Sequence, residues 1–212
     1  YFDDGRFQSE LAGLVGYATG TQNPDQGPEL ARYLNTAMTA RLSGMGFSCE
    51  IHPNPVDGAG PILVAERHEG DDLPTILTYG HGDVIRAQTD QWRDGLHPFQ
   101  LIEEGDRLYG RGSADNKGQH LINLAALDAV LETRGKLGFN CRVVIEAGEE
   151  TGSPGLAEFF AAQKEALSAD VLIASDGPRL QPETPTMFMG SRGGVTFDLV
   201  VDLREGAHHS GN

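Results

Sequence analysis

The 212-residue chain carries 31 acidic against 16 basic side chains, a formal net charge of −15. That excess of negative charge excludes nucleic acid and anionic membrane surfaces as partners, since both repel it. No apolar run approaches the roughly 18 residues of a membrane span, no secretory signal is visible, and 39% hydrophobic residues suffice for a real core.

In chain order, residues 6–18 and 28–44 are predicted helices, with Pro28 at a starting position of the second and Gly44 and Gly46 as its stop signals. Three short strands follow: FSCEI (47–51), PILVAER (61–67) and PTILTYG (74–80). A long irregular stretch over 81–107 holds Trp92 and the His97-Pro98-Phe99 turn. The run KGQHLINLAALDAVL (117–131) is apolar on nearly every face, which predicts a buried helix. FNCRVVIEA (139–147) is a strand. Ser153-Pro154 then reads as an N-cap and first helical position, opening a helix over 154–166. DVLIAS (170–175) is the next strand.

This alternation predicts an α/β domain with a mostly parallel central sheet flanked by helices. Cys49 and Cys141 both fall on predicted strands. Two cysteines are too few for a disulfide scaffold, so they read as buried thiols of a reducing, cytoplasmic compartment, with a single bridge as the alternative. From Ser191 the pattern changes to alternating strand-like runs without a helix. Residues 1–190 are therefore expected to form one domain, with a new substructure beginning at 191–212 and the sequence stopping inside it.

The segment EAGEETGS (146–153) raises the chemical question, because Glu146, Glu149 and Glu150 stand at or just beyond the end of an apolar strand. A buried carboxylate needs a partner, and the chain has only three lysines, none near these acids in sequence. Three further segments put a potential ligand after an apolar strand or at a strand-to-helix turn: His81 and Asp83 in TYGHGDV, Asp115 in GSADNKG, and Asp176 in ASDGP. In open α/β sheets, sites form in the crevice beyond the carboxyl ends of the strands. Singly, each residue has an ordinary reading: a loop histidine, a capping aspartate, a turn aspartate, a solvated pair of glutamates. Jointly they converge on one sheet edge. One histidine with several carboxylates and almost no cysteine suits a divalent ion such as Zn²⁺, Mn²⁺ or Co²⁺. Asp83 can accept the other N–H of the His81 imidazole. Of the adjacent glutamates, one can ligate while its neighbour takes a proton from bound water. In this reading the ions neutralise the acids of 146–150.

GHGDV, LYGRGSADNKG, EAGEETGS and SDGP, in this order and at these intervals, resemble the zinc exopeptidase/deacylase family. It contains acetylornithine deacetylase, succinyl-diaminopimelate desuccinylase, aminoacylase, carnosinase-type dipeptidases and glutamate carboxypeptidases. The match covers roughly residues 70–212, and the first helices fit the family's N-terminal layout. The resemblance implies two Zn²⁺ ions, with His81 and Asp176 on the first, Glu150 on the second and Asp115 bridging them. It implies Glu149 as general base towards a metal-bridged hydroxide, Asp83 behind His81, and a cis Asp115–Asn116 peptide. It also implies that 191–212 enters a lid or dimerisation domain, so that a homodimer is expected and His209 reaches the partner's site to stabilise the oxyanion. His208 is expected to be a bystander. The second metal's histidine and the groups for the substrate carboxylate are expected beyond position 212.

The chain departs from the family pattern at Ile85-Arg86 and at Asn116, which stands where a second aspartate is common. His52, His68, His97 and His120 are expected at surface or loop positions. The function implied is hydrolysis of the amide bond of a dipeptide or N-acyl amino acid. The rivals are a related zinc aminopeptidase and a non-catalytic metal-binding module that kept the fold. A phosphate site at YGRGSADNKG is weaker, because it lacks the paired Lys-Ser/Thr of a P-loop.

Overall fold

The computed structural model describes residues 1–190, 193–195 and 197–201. They divide into a compact unit, Tyr1–Asp176, and a second unit that begins at Gly177. The strands are β1 (Ser48–His52), β2 (Ile62–Arg67), β3 (Thr75–His81), β4 (Ile102–Glu104), β5 (Arg107–Tyr109), β6 (Asn140–Glu146) and β7 (Val171–Ala174). Five of them form one sheet in the order β1-β2-β6-β3-β7, while β4 and β5 make a separate antiparallel hairpin at the end of the irregular stretch.

Within the large sheet β2 is antiparallel to both β1 and β6, and β3 lies parallel between β6 and β7. Hence β1, β3, β6 and β7 run the same way and β2 alone is reversed, which gives the mostly parallel sheet expected. The carboxyl ends of β3, β6 and β7 consequently open on one edge. β6 is buried at every position except Arg142, the near-continuous pattern of a strand covered on both faces. Its side chains alternate: Val143 and Ile145 enter the larger core with Leu63 and Leu121, whereas Val144 enters a smaller one with Ile62, Leu77, Phe159 and Leu167.

The helices are α1 (Arg6–Val15), α2 (Gly27–Arg32), α3 (Thr39–Gly44), α4 (Lys117–Arg134) and α5 (Leu156–Ala162). α1 buries Leu11, Leu14 and Val15 along one stripe and stops at Gly16, short of the predicted end. α2 and α3 are one unbroken helical run, joined by a π-helical turn over Tyr33–Met38 that the sequence pattern did not reveal. The wider turn puts Tyr33, Leu34 and Met38 in the core, each fully buried.

Two predictions need correction. α4 is not buried on nearly every face: Lys117, Gly118, His120, Leu121 and Leu124 are buried, but Ile122 is 54% exposed. Only the side of the helix that packs on α1 and β3 leaves water. α5 opens at Leu156, behind a left-handed Gly155 with φ 78°, and ends at Ala162. Ser153 does not cap it, because its hydroxyl is taken by Glu146. Among the described residues from Gly177 onward there is no helix or strand, and Met187, Phe188, Met189 and Phe197 are exposed. No helix among the described residues is long and apolar enough to cross a membrane.

Candidate metal centre

β3 ends at His81, whose imidazole is completely buried. Its Nδ1 lies 3.0 Å from the main-chain oxygen of Asp83 and 3.3 Å from that residue's carboxylate. The nearer acceptor for this nitrogen is thus the main-chain carbonyl of Asp83, with the carboxylate the sequence suggested slightly farther away. Since Nδ1 is engaged, Nε2 is the atom left to ligate. It faces carboxylates: Asp115 Oδ1 at 3.0 Å, and Glu149 Oε2 and Asp176 Oδ1 at 3.8 Å each. Asp115 arrives just before α4, Glu149 and Glu150 follow β6, and Asp176 follows β7. The ligand atoms of His81, Asp115 and Asp176 all lie within 4.8 Å of one another, as do those of His81, Glu149 and Glu150. The structure therefore brings together all four segments singled out in the sequence. The Asp115–Asn116 peptide is cis. His209 lies outside the described residues, as does His208.

The Asp83 carboxylate does more than back the imidazole. It accepts the backbone N–H of Glu149 at 3.2 Å and of Glu150 at 3.1 Å, and the Thr21 hydroxyl donates to it at 3.1 Å. A fully buried carboxylate is sustained by such donors, and here they hang the glutamate turn on the β3 loop. The base of that turn is closed by Glu146, 2% exposed, which accepts from Tyr79 at 2.6 Å and from Ser153 at 2.8 Å. Glu146 thus has two hydroxyl donors of its own. Burial raises its carboxyl above the ordinary range, opposed by these two hydrogen bonds.

The electrostatics of the cluster favour a cation. Burial by itself would lower the His81 imidazole, but hydrogen bonding and charge from Asp176 and Asp83 outweigh it and push the group up to about 11. Asp115 is nearer but 66% exposed, so water screens it. Burial, then the Asp115 charge, lifts Glu150 to about 6, and burial is also the chief reason Glu149 is raised. Asp176 is lowered, chiefly by its hydrogen bond with His81. One imidazole nitrogen amid four carboxylates, once an ion displaces the imidazole proton, is a donor set that fits Zn²⁺, Mn²⁺ or Co²⁺.

Two buried groups escaped the sequence reading. His120, expected at a surface or loop position, is 3% exposed inside α4. Burial drives its imidazole down to about 3, assisted by the charges of His81 and Lys117. Its spacing from Leu121 and Leu124 on a helix was the available signal. Lys117 is fully buried, with Nζ donating to Leu14 O at 3.0 Å in the last turn of α1 and to Tyr17 O at 2.7 Å just past its end. Cys49 and Cys141 are free thiols, half-buried and buried.

The mostly parallel α/β sheet thus carries one buried histidine and four carboxylates at its carboxyl edge, a donor set for divalent cations. The chain belongs to the peptidase family M20/M25/M40, which it matches over residues 77–202. It is 36% identical over 211 residues to a cysteinylglycine-S-conjugate dipeptidase of Corynebacterium striatum, covering 97% of this chain and 44% of that protein. It is 36% identical over 155 residues to the Beta-Ala-His dipeptidase of Mus musculus, covering 71% and 31%. Its fold matches the crystal structure of human carnosine dipeptidase 1 with a TM-score of 0.76 and 28% identity, covering 83% of this chain and 39% of that one. The chain thus spans less than half the length of the relatives it matches.

Proposed function

We propose that this chain carries most of the metal site of a di-zinc amide hydrolase acting on dipeptides or N-acyl amino acids. The observation that carries the reading is the buried Nε2 of His81, turned towards Asp115, Asp176 and Glu149. His81 and Asp176 would hold one ion and Glu150 the other, with Asp115 between them. Bound divalent ions supply Lewis acidity and bring the pKa of water to about 7. Glu149 takes the proton of the attacking water and returns it to the leaving amine. Its raised carboxyl suits both steps, because a base poised nearer neutrality can also act as the acid. Asp83 keeps Glu149 and Glu150 at fixed distances from His81 through their N–H groups.

The dipeptidase relatives favour a peptide over an N-acyl substrate. A cytoplasmic location and a homodimer, joined through a lid domain that begins near residue 191 and brings His209 to the partner's site, belong to the same reading. The test is metal content by elemental analysis, combined with hydrolysis of dipeptides and N-acyl amino acids by the full-length protein before and after chelation. About two zinc equivalents and chelator-sensitive cleavage are expected. A need for a free α-amine would point to an aminopeptidase instead. A protein that takes up no metal after zinc supplementation would overturn the reading.

A further inference from the structure

Behind the ligand cluster lie three buried side chains that the chemistry above does not use: Tyr33, Asn116 and His120, of which Tyr33 and Asn116 are completely inaccessible. They form one hydrogen-bonded line. The Tyr33 hydroxyl is 2.6 Å from His120 Nε2, and His120 Nδ1 is 3.1 Å from Asn116 Oδ1. Asn116 Oδ1 also accepts the backbone N–H of His81 at 3.1 Å. On its other side Asn116 Nδ2 faces Ser175 O at 2.6 Å, Gln119 Oε1 at 2.8 Å and Asp176 Oδ1 at 3.2 Å.

Elimination sets the direction of every bond. A backbone N–H can only donate, so the Asn116 atom facing His81 is the oxygen. A carbonyl can only accept, so the atom facing Ser175 is the NH₂. His120 Nδ1, opposite that oxygen, must carry the proton; Nε2 is then the acceptor and Tyr33 the donor. All the hydrogens along the line point from Tyr33 towards Ser175 and Asp176. One amide thus ties together the end of β3, the start of α4 and the segment after β7. Those three places carry His81, Asp115 and Asp176.

The backbone is cut to admit this line. A Cβ on Gly80 would stand 2.9 Å from Asn116 Oδ1 and 2.8 Å from His120 Cβ, and one on Gly82 would stand 2.5 Å from Tyr33 Cε1. The two glycines that flank His81 are therefore places of close approach, where no larger residue fits. Tyr33 itself opens the π-helical turn, a feature frequent at functional sites.

We propose that Asn116 is a positioning residue that sets the mutual placement of His81, Asp115 and Asp176, with His120 and Tyr33 fixing the way its amide faces. An aspartate at 116 would turn a bare oxygen towards Ser175 O and Asp176, with no hydrogen to offer either. The proposal rests on the metal reading given above, and the experiment separates the two.

Co²⁺ affinity, by competition with a chelator, and the visible spectrum of bound Co²⁺ would be measured for the full-length protein and for Asn116→Asp, Asn116→Leu, His120→Asn and His120→Gln. Asparagine at 120 keeps a donor where Nδ1 stands, whereas glutamine places its amide near the Nε2 position. Both Asn116 variants should bind Co²⁺ about 10- to 100-fold more weakly, with an altered spectrum. His120→Asn should stay within about threefold of wild type while His120→Gln falls with the Asn116 variants. If Asn116→Leu does not fold, Asn116→Asp carries the comparison. Unchanged affinity and spectrum in Asn116→Asp, or equal losses in the two His120 variants, would overturn the proposal and leave the metal reading standing. A wild type that binds no Co²⁺ would sink both. Nitrogen-15 NMR of the His120 ring gives a readout independent of metal: a proton on Nδ1 is expected, and one on Nε2 overturns the line.

Discussion

The carboxylate of Asp83 accepts the backbone N–H of Glu150 at 3.1 Å across 67 residues of sequence. With the matching bond from Glu149 at 3.2 Å, it makes the glutamate turn and the His81 loop one rigid piece. Asp83→Asn puts an NH₂ where a second acceptor is required, leaving one of these N–H groups without a partner. We expect a stability loss of about 2–4 kcal/mol and a 10- to 100-fold weaker hold on metal. Urea unfolding and chelator competition read the two effects. Wild-type metal affinity in a folded Asp83→Asn protein would show that the turn is held by other means.

Adjacent glutamates should separate cleanly by function. Glu149→Gln should keep its metal content and lose about 10²- to 10⁴-fold in kcat, because it removes the proton acceptor while leaving the ligands. Glu150→Gln should instead lose metal, and recover activity only when the ion is supplied in excess. Elemental analysis alongside steady-state kinetics distinguishes them. The reverse pattern would exchange the two roles.

Glu146 is served by hydroxyls, so its replacement should be a matter of stability. Glu146→Leu takes the acceptor from the part-buried Tyr79 and Ser153 hydroxyls and should cost about 2–3 kcal/mol. Glu146→Gln retains the single oxygen that both hydroxyls use and should cost less than half as much. Equal unfolding midpoints for the two variants in urea would refute this account.

The buried neutral His120 makes stability depend on pH. Its folded pKa, about 3, lies below the ordinary 6.5, so the unfolded chain takes up the proton first. The contribution is complete above about pH 6.5 and is lost as pH falls, by up to about 1.4 kcal/mol per pH unit. His120→Asn has no such titration. Between about pH 6.5 and 4.5 the wild-type urea midpoint should therefore fall more steeply than that of the variant. Parallel curves would mean that water reaches the ring.

Much of the site was legible in the chain. His81, Asp115, Glu149, Glu150 and Asp176 each sit where an apolar strand ends or a helix begins, and local pattern is enough to place such positions. The α/β layout followed from the same alternation, with strand limits off by a residue or so. α5 begins two residues later than Ser153-Pro154, a valid helix start in isolation, predicts. Its failure needed knowledge that Glu146, seven residues earlier, claims the Ser153 hydroxyl. His120 was misplaced for a similar reason: a histidine on an Ala- and Leu-rich helix gives no sign of which face is buried until α4 is set against β3.

The kinds of group present, and their place at the carboxyl edge of a mostly parallel sheet, can be read from the chain because strand and helix signals are local. Which group answers which is a matter of the folded core. Asn116 meets Ser175 across 59 residues, Tyr33 meets His120 across 87, and Tyr79 meets Glu146 across 67. Those pairings depend on sheet register and on how closely helices approach the strands, through gaps left by Gly80 and Gly82. Distances of that kind are settled by packing the whole core at once, and no short stretch of chain contains them.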